Sequence, residues 1–283
     1  MDGKTIFVTG ATGNQGGAVA KSLIKAGFRV KALVRNSSSP KAVSLKDLGV
    51  ELVEGNLDHM ETLEDAIRDS YGLFCVLSYD FGTEKEIKQG LHLIDMATAY
   101  GIQHFIYSSV IGCDLNTGIP HWESKWKIEN HLKQSGMPYT ILRPASLYEN
   151  FLIPQIKSRI LKGKLSTPVK GNVVQQFISS HDIAEISTKI FMNPDQYLGK
   201  TLTIAAEEMN MNNAAEVFGE AMGRKMKYQS LPMFLARIIL GKDLAMMFRW
   251  INKHNAIFVK DLNAFRQEYP NLLGLKEWVK QNF

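Results

Sequence analysis

Three glycines at intervals of three, Gly10, Gly13 and Gly16, constrain this chain more than any other feature. They follow directly on the strand-like run Thr5-Ile6-Phe7-Val8-Thr9 and lead into an apolar-periodic helix (Ala18, Val19, Leu23, Ile24) that ends at Gly27. A second strand runs from Phe28 to Val34 and ends in Arg35. In a strand–turn–helix unit of this kind the first glycine permits the tight turn. The second lets a pyrophosphate approach the backbone, and the third lets helix and strand pack closely. The N-terminus of the helix then offers free N–H groups to the phosphates. Gly10, Ala11, Thr12, Gly13, Asn14, Gln15 and Gly16 are therefore expected to cradle a dinucleotide.

The end of the second strand decides which dinucleotide. An Asp or Glu there would accept hydrogen bonds from a ribose 2′-hydroxyl, about 20 residues past the glycines. This chain has Arg35, whose guanidinium can hold a 2′-phosphate through two parallel hydrogen bonds. Lys41 lies a few residues further on and adds charge. The expected cofactor is NADP(H) in preference to NAD(H).

The chain has 283 residues, enough to bury a full α/β core. Its net charge of +5 suits an anionic ligand without requiring nucleic acid. No helix-turn-helix or finger pattern is present, and no cluster of residues calls for a metal. The two cysteines, Cys75 and Cys113, make no disulfide framework and are expected as reduced, buried thiols. No signal peptide is visible before the first strand and no apolar run is long enough to cross a bilayer, so a cytoplasmic protein is expected.

Strands and helices alternate through the first half. Further strands are expected at Val50–Glu54, Gly72–Leu77, His104–Ser109 and Tyr139–Arg143, with helices at Pro40–Leu48, Glu61–Asp69, Thr83–Tyr100 and Glu123–Gln134. Such alternation gives a doubly wound parallel sheet, an α/β Rossmann fold, with ligands across the carboxyl ends of its strands. Residues 1–150 are read as this dinucleotide-binding domain. Residues 151–283 are read as a smaller α+β substrate or cap lobe, from which short strands near Phe177-Ile178 and Leu202-Thr203-Ile204 could return to the main sheet. Helical patterns fill Asn213–Ala221, Pro232–Leu240 and Asp261–Tyr269. Between Gly223 and Lys260 eight Lys and Arg face a single acid, Asp243, with Met and aromatic residues interleaved. A cap over a substrate cleft is favoured there over a partner or membrane-surface helix.

The residues now in view resemble the atypical short-chain dehydrogenase/reductases and, within them, the NmrA-like proteins. The resemblance rests on Thr9-Gly10-Ala11-Thr12-Gly13-Asn14-Gln15-Gly16-Gly17, Arg35-Asn36, Gly55-Asn56-Leu57-Asp58, Leu142-Arg143-Pro144, Tyr148-Glu149-Asn150-Phe151, and Phe177-Ile178 to Asp182-Ile183-Ala184. It implies Thr12, Asn14 and Gln15 at the pyrophosphate, Arg35 and Asn36 at the 2′-phosphate end, and Asn56 and Leu57 near the adenine. It also implies Ser78, Tyr79 and Lys88 along the cofactor, and Tyr148, Glu149 and Asn150 near the nicotinamide. The group includes NADPH-using reductases of quinones and related small molecules, and regulators that bind the dinucleotide without turning it over and signal through a protein partner. A homodimer is compatible with the resemblance.

The superfamily's usual catalytic pair is a Tyr followed four positions later by a Lys. In Pro120-His121-Trp122-Glu123-Ser124-Lys125 the Lys is present and His121 holds the Tyr position. That departure argues against ordinary alcohol dehydrogenation and against sugar-nucleotide epimerases. Lys125 is read as a contact to the nicotinamide ribose or to a substrate oxygen, the alternative being a surface lysine. His121 is either a proton source near neutral pH or a surface residue at a helix start. Ser108 is either a bond to the substrate oxygen or a strand-ending hydroxyl. Tyr148 is a second candidate proton donor, or a ring packed against the cofactor.

Overall fold

The computed structural model describes residues 3–79 and 81–283; Met1, Asp2 and Asp80 lie outside the described residues. In chain order it begins β1 (Thr5–Val8), α1 (Asn14–Lys25), β2 (Arg29–Val34), α2 (Pro40–Lys46) and β3 (Glu51–Glu54). A 3-10 turn (Met60–Leu63) leads into α3 (Glu64–Arg68), followed by β4 (Gly72–Val76), α4 (Thr83–Ala99), β5 (His104–Ser108), α5 (Pro120–Gln134) and β6 (Tyr139–Pro144). Then come β7 (Ser146–Leu147), α6 (Pro154–Ile160), β8 (Lys164–Leu165), β9 (Val174–Ile178), α7 (Ser180–Met192), α8 (Pro194–Tyr197) and β10 (Lys200–Ile204). The chain closes with β11 (Glu207–Asn210), α9 (Met211–Ala221), β12 (Lys227–Tyr228), α10 (Met233–His254), α11 (Leu262–Glu268) and α12 (Leu275–Asn282).

The central sheet has the order β10-β6-β5-β4-β1-β2-β3. All five pairings from β3 to β6 are parallel, as strands joined by helical crossovers must be. The fold is the expected doubly wound α/β sheet. Phe7, Leu73, Cys75, Phe105 and Tyr107 share one face and pack with Leu93, Ile94, Ala97, Ile128 and Leu132 of α4 and α5. The intervening residues point the other way: His104 lies edge-on to Phe191 of α7, with ring centroids 5.4 Å apart. On that same face Ser22 of α1 donates to Glu185 Oε1 at 2.9 Å and accepts from Thr188 at 2.9 Å, tying α1 to α7.

The chain divides into two compact units that interleave in sequence, where a boundary at residue 150 was expected, with strands beyond it that could return to the main sheet; β10 does join that sheet, whereas β9, which contains Phe177-Ile178, lies in a separate sheet. One unit comprises residues 1–143 and 183–202, the other residues 144–182 and 203–283. The second unit has its own core, centred on Tyr148, Phe151, Phe177, Phe218 and Trp278. Its sheet pairs β9 with β7 in parallel and with β11 in antiparallel fashion. Gly241, at φ +85°, interrupts α10 with a non-helical residue, so the helix expected to stop at Leu240 does stop there and a second helical stretch follows directly.

His104 is fully buried in β5, with Nε2 2.8 Å from Thr140 Oγ1. Burial, with Lys4 nearby, lowers its pKa from the ordinary 6.5 to about 4. The folded protein therefore favours the neutral ring. The stability this contributes is complete above about pH 6.5 and is lost as pH falls towards 4, a difference on the order of 3 kcal/mol. Urea unfolding midpoints are expected to fall between pH 7 and pH 4.5, and to fall less steeply in His104→Gln. Equal slopes for the two proteins would contradict this account.

Candidate functional site

The carboxyl ends of the strands in the first unit converge on the glycine turn. Gly10 has φ +60°, a left-handed backbone that glycine tolerates best. The Gly13 N–H donates to Gly10 O at 2.8 Å and closes the turn. A Cβ at Gly16 would lie 2.4 Å from both Thr9 O and Gly10 O, and one at Gly17 would lie 2.8 Å from Ala11 O. Only glycine lets α1 start this close to β1. Gly13 caps the helix without a side-chain hydrogen bond, and the first turn carries no acid. Its N–H groups are thus left for an anion. Thr9 Oγ1 locks the end of β1 to β4, donating to Val76 O and accepting from Val76 N, each at 2.9 Å.

Two of the expected site residues meet directly. Ser108 Oγ, at the end of β5, donates to Gln15 Oε1 in the first turn of α1 at 2.6 Å. At the end of β2 the Arg35 guanidinium is exposed and lies over the Phe81 ring, 5.7 Å from its centroid. Lys85 Nζ is 5.0 Å from the same ring and 2.7 Å from Asp58 Oδ2. Bonds from Lys85 and Gln89 lower the Asp58 pKa. Asn36 Oδ1 accepts from Ser38 N at 2.8 Å, and Ser37 N donates to Glu54 at 3.1 Å, which shapes the loop after Arg35. Asn56 Oδ1 accepts from Asp58 N at 2.8 Å, so Asn56 and Leu57 sit in a turn of fixed shape. Lys41 and Lys88 are exposed, on α2 and α4.

Helix α5 carries a polar row that repeats every four residues, His121, Lys125 and Glu129, and all three are buried. Their burial removes the surface readings of Lys125 and His121. His121 stacks on Tyr79, ring centroids 5.0 Å apart. Lys125 Nζ donates to Glu86 Oε1 of α4 at 2.8 Å, and Ser124 Oγ donates to Glu86 Oε2 at 2.5 Å. Glu129 accepts two bonds from Arg143, Nε at 2.9 Å and Nη2 at 2.7 Å, while Arg143 Nη1 donates to Asp114 at 2.5 Å. Burial works to raise the Glu129 pKa, but the bonds from Arg143, Ser109 and Cys113 outweigh it and the carboxylate lies below its ordinary range. Burial and the neighbouring Glu129 push the Cys113 thiol up to about 12, and burial does the same to Cys75. Neither thiol has the thiolate character of a redox switch.

Tyr148, Glu149 and Asn150 belong to the second unit. Tyr148 is fully buried, stacked on Phe177 with centroids 6.0 Å apart, and donates to Glu207 Oε2 at 2.9 Å. Burial and Glu207 hold its pKa far above that of a free phenol. Glu149 Oε1 accepts from Ser180 N at 3.0 Å and Ser180 Oγ at 2.7 Å, and Asn150 is exposed. Sequence reasoning missed Glu86 and the Glu129–Arg143 pair. The one available signal was the four-residue spacing of ionisable groups on α5.

Arg143→Leu leaves Glu129 buried with Lys133 as its remaining charged partner, 3.1 Å away. We expect a loss of about 3 kcal/mol in chemical denaturation. A loss below about 0.5 kcal/mol would show that the pair does not hold α5 to β6.

A family model described as the NmrA-like family matches residues 2–276. Among curated relatives, the NmrA-like family domain-containing oxidoreductase FrzB of Cladobotryum sp is 29% identical over 277 residues, spanning 86% of this chain and 82% of the relative. NmrA, a negative transcriptional regulator solved in complex with NADP, superposes with a TM-score of 0.82 at 20% identity, covering 100% of this chain and 96% of that one. The NADPH-dependent quinone oxidoreductase QOR2 from Escherichia coli, complexed with NADPH, gives 0.81 at 22% identity, covering 98% of this chain and 99% of that one. At these identities the likeness to the solved structures is one of fold.

Proposed function

Because this chain belongs to the NmrA-like family, we propose that it binds NADP(H) and acts as an NADPH-dependent reductase of quinones or similar small carbonyl compounds. The observation that carries the reading is the exposed Arg35 guanidinium at the end of β2, in the place where a carboxylate would select NAD(H). The uncapped start of α1 fits a pyrophosphate, held by Gly10, Ala11, Thr12, Gly13, Asn14, Gln15 and Gly16. Arg35 and Asn36 take the 2′-phosphate end, and Asn56 and Leu57 the adenine. Ser78, Tyr79 and Lys88 lie along the cofactor and Lys125 holds the nicotinamide ribose; Tyr148, whose ring and hydroxyl are taken up within the second unit, is assigned no cofactor contact, nor are Glu149 and Asn150. The two buried thiols suit a reducing, cytoplasmic setting.

When bound, NADPH supplies a hydride. The chain's part is to bind and orient. Ser108 would reach the substrate oxygen by exchanging its bond to Gln15, the Lys125 ammonium stabilises the anion that develops there, and His121 supplies the proton. Quinone reduction suits a site without the usual Tyr, since a hydroquinone anion takes its proton readily from a neighbouring histidine or from water. The hydroxyl of Tyr148 is committed to Glu207, so Tyr148 is assigned no proton transfer.

NADPH oxidation by the purified protein should be followed against a panel of small quinones and aldehydes, with NADH alongside. We expect turnover that favours NADPH, and in Arg35→Ala a roughly tenfold higher KM for NADPH with little change for NADH. NADPH binding without turnover on any acceptor would favour a dinucleotide-sensing regulator that acts through a protein partner. Equal use of NADH would remove Arg35 as the selecting residue.

A further inference from the structure

Helices α4 and α5 approach unusually closely at one point. A Cβ at Gly90 would lie 2.8, 2.9 and 3.1 Å from three side-chain atoms of Ile128. One turn before Gly90 stands Glu86, and one turn before Ile128 stand Ser124 and Lys125. The missing Cβ thus brings a carboxylate on one helix against a hydroxyl and an ammonium on the other. Both oxygens of Glu86 are used, Oε1 by Lys125 Nζ at 2.8 Å and Oε2 by Ser124 Oγ at 2.5 Å. Glu86 is fully buried and Lys125 is 8% exposed. From β5, the Tyr107 ring lies below the ammonium with its centroid 5.9 Å from Nζ, within the range of a cation–π contact. Lys125 is therefore seated by two elements besides its own helix.

We propose that Glu86 is a positioning residue, which acts through Lys125 to fix the ammonium where the nicotinamide ribose is held. The inference rests on the reading of Lys125 given under the proposed function and adds to it a residue that no motif marks. A free lysine samples many rotamers and must lose that freedom when it grips a ligand. Pairing with a buried carboxylate removes the freedom before the cofactor arrives. An ammonium has three N–H donors, so one bond to Glu86 leaves two for the ribose hydroxyls or a substrate oxygen. Ser124 holds the second carboxylate oxygen, which stops Glu86 from rotating away. Preorganisation of this kind strengthens binding without adding a contact to the ligand.

A double-mutant cycle separates this role from that of a purely structural ion pair. NADPH is titrated by fluorescence into wild type, Glu86→Gln, Lys125→Gln and the double variant, with the thermal midpoint of each recorded. We expect Glu86→Gln to weaken NADPH binding about tenfold, and the double variant to bind no more weakly than Lys125→Gln alone. Gly90→Ala parts the two helices without altering either charge and should give a similar loss by the same route. Additive losses in the cycle, or unchanged or tighter binding in Glu86→Gln, would overturn the proposal while leaving the functional reading in place. A wild-type protein that binds neither NADPH nor NADH would bring down both.

Discussion

The contact on which the rest is built is the approach of α1 to the end of β1. The carbonyl oxygens of Thr9 and Gly10 lie 2.4 Å from where a Cβ at Gly16 would stand, a separation that no side chain survives. With glycine there, the helix starts directly above the strand end, its first turn uncapped by any side chain. Thr9 then bonds both ways to Val76, so the same turn sets the end of β4. Ser108 reaches back to Gln15 and brings in the end of β5. Three strand ends are thus registered to one tight turn, and the polar residues that follow them fall on one edge of the sheet.

Helix α5 adds a second constraint of a different kind. Its inner face carries an apolar row, Ile128 and Leu132, beside an ionisable row, His121, Lys125 and Glu129. Hydrophobic packing alone would allow the helix to slide or rotate by a residue. Two buried ion pairs, Lys125 to Glu86 and Glu129 to Arg143, allow one arrangement. Such pairs contribute little net stability, because desolvation offsets much of the attraction, but removing one partner is costly. Their effect is to fix geometry, and they fix it beside the residues assigned to chemistry.

The sheet was legible because parallel strands buried on both faces appear as continuous apolar runs, and Gly72–Val76 is of that type. The glycine turn and Arg35 were legible because their chemistry is local: a few adjacent residues carry it. The interleaving of the two units was legible only in part: a strand near Leu202–Ile204 was expected to be able to return to the main sheet, and β10 does border β6, but nothing in the run from 183 to 202 announces that α7 and α8 belong with the first unit. Short strands such as β7, β8 and β12, each of two residues, leave no periodicity to detect. Glu86 was missed for a related reason. It lies in a stretch rich in charged residues, 83–89, and is buried where the close approach of Gly90 to Ile128 brings α4 against α5. Long-range packing decided its environment, and a single sequence holds no trace of that.

The account stands or falls on where a dinucleotide binds. Backbone amide shifts of the isotope-labelled protein, recorded with NADPH and with NADH, would answer this at residue level. The account predicts that both ligands perturb the turn from Gly10 to Gly17 and the strand ends at Asn56, Ser78 and Ser108. The difference between them should concentrate at Arg35 to Ser37. Perturbations that spare the glycine turn, or no perturbation by either ligand at millimolar concentration, would contradict it.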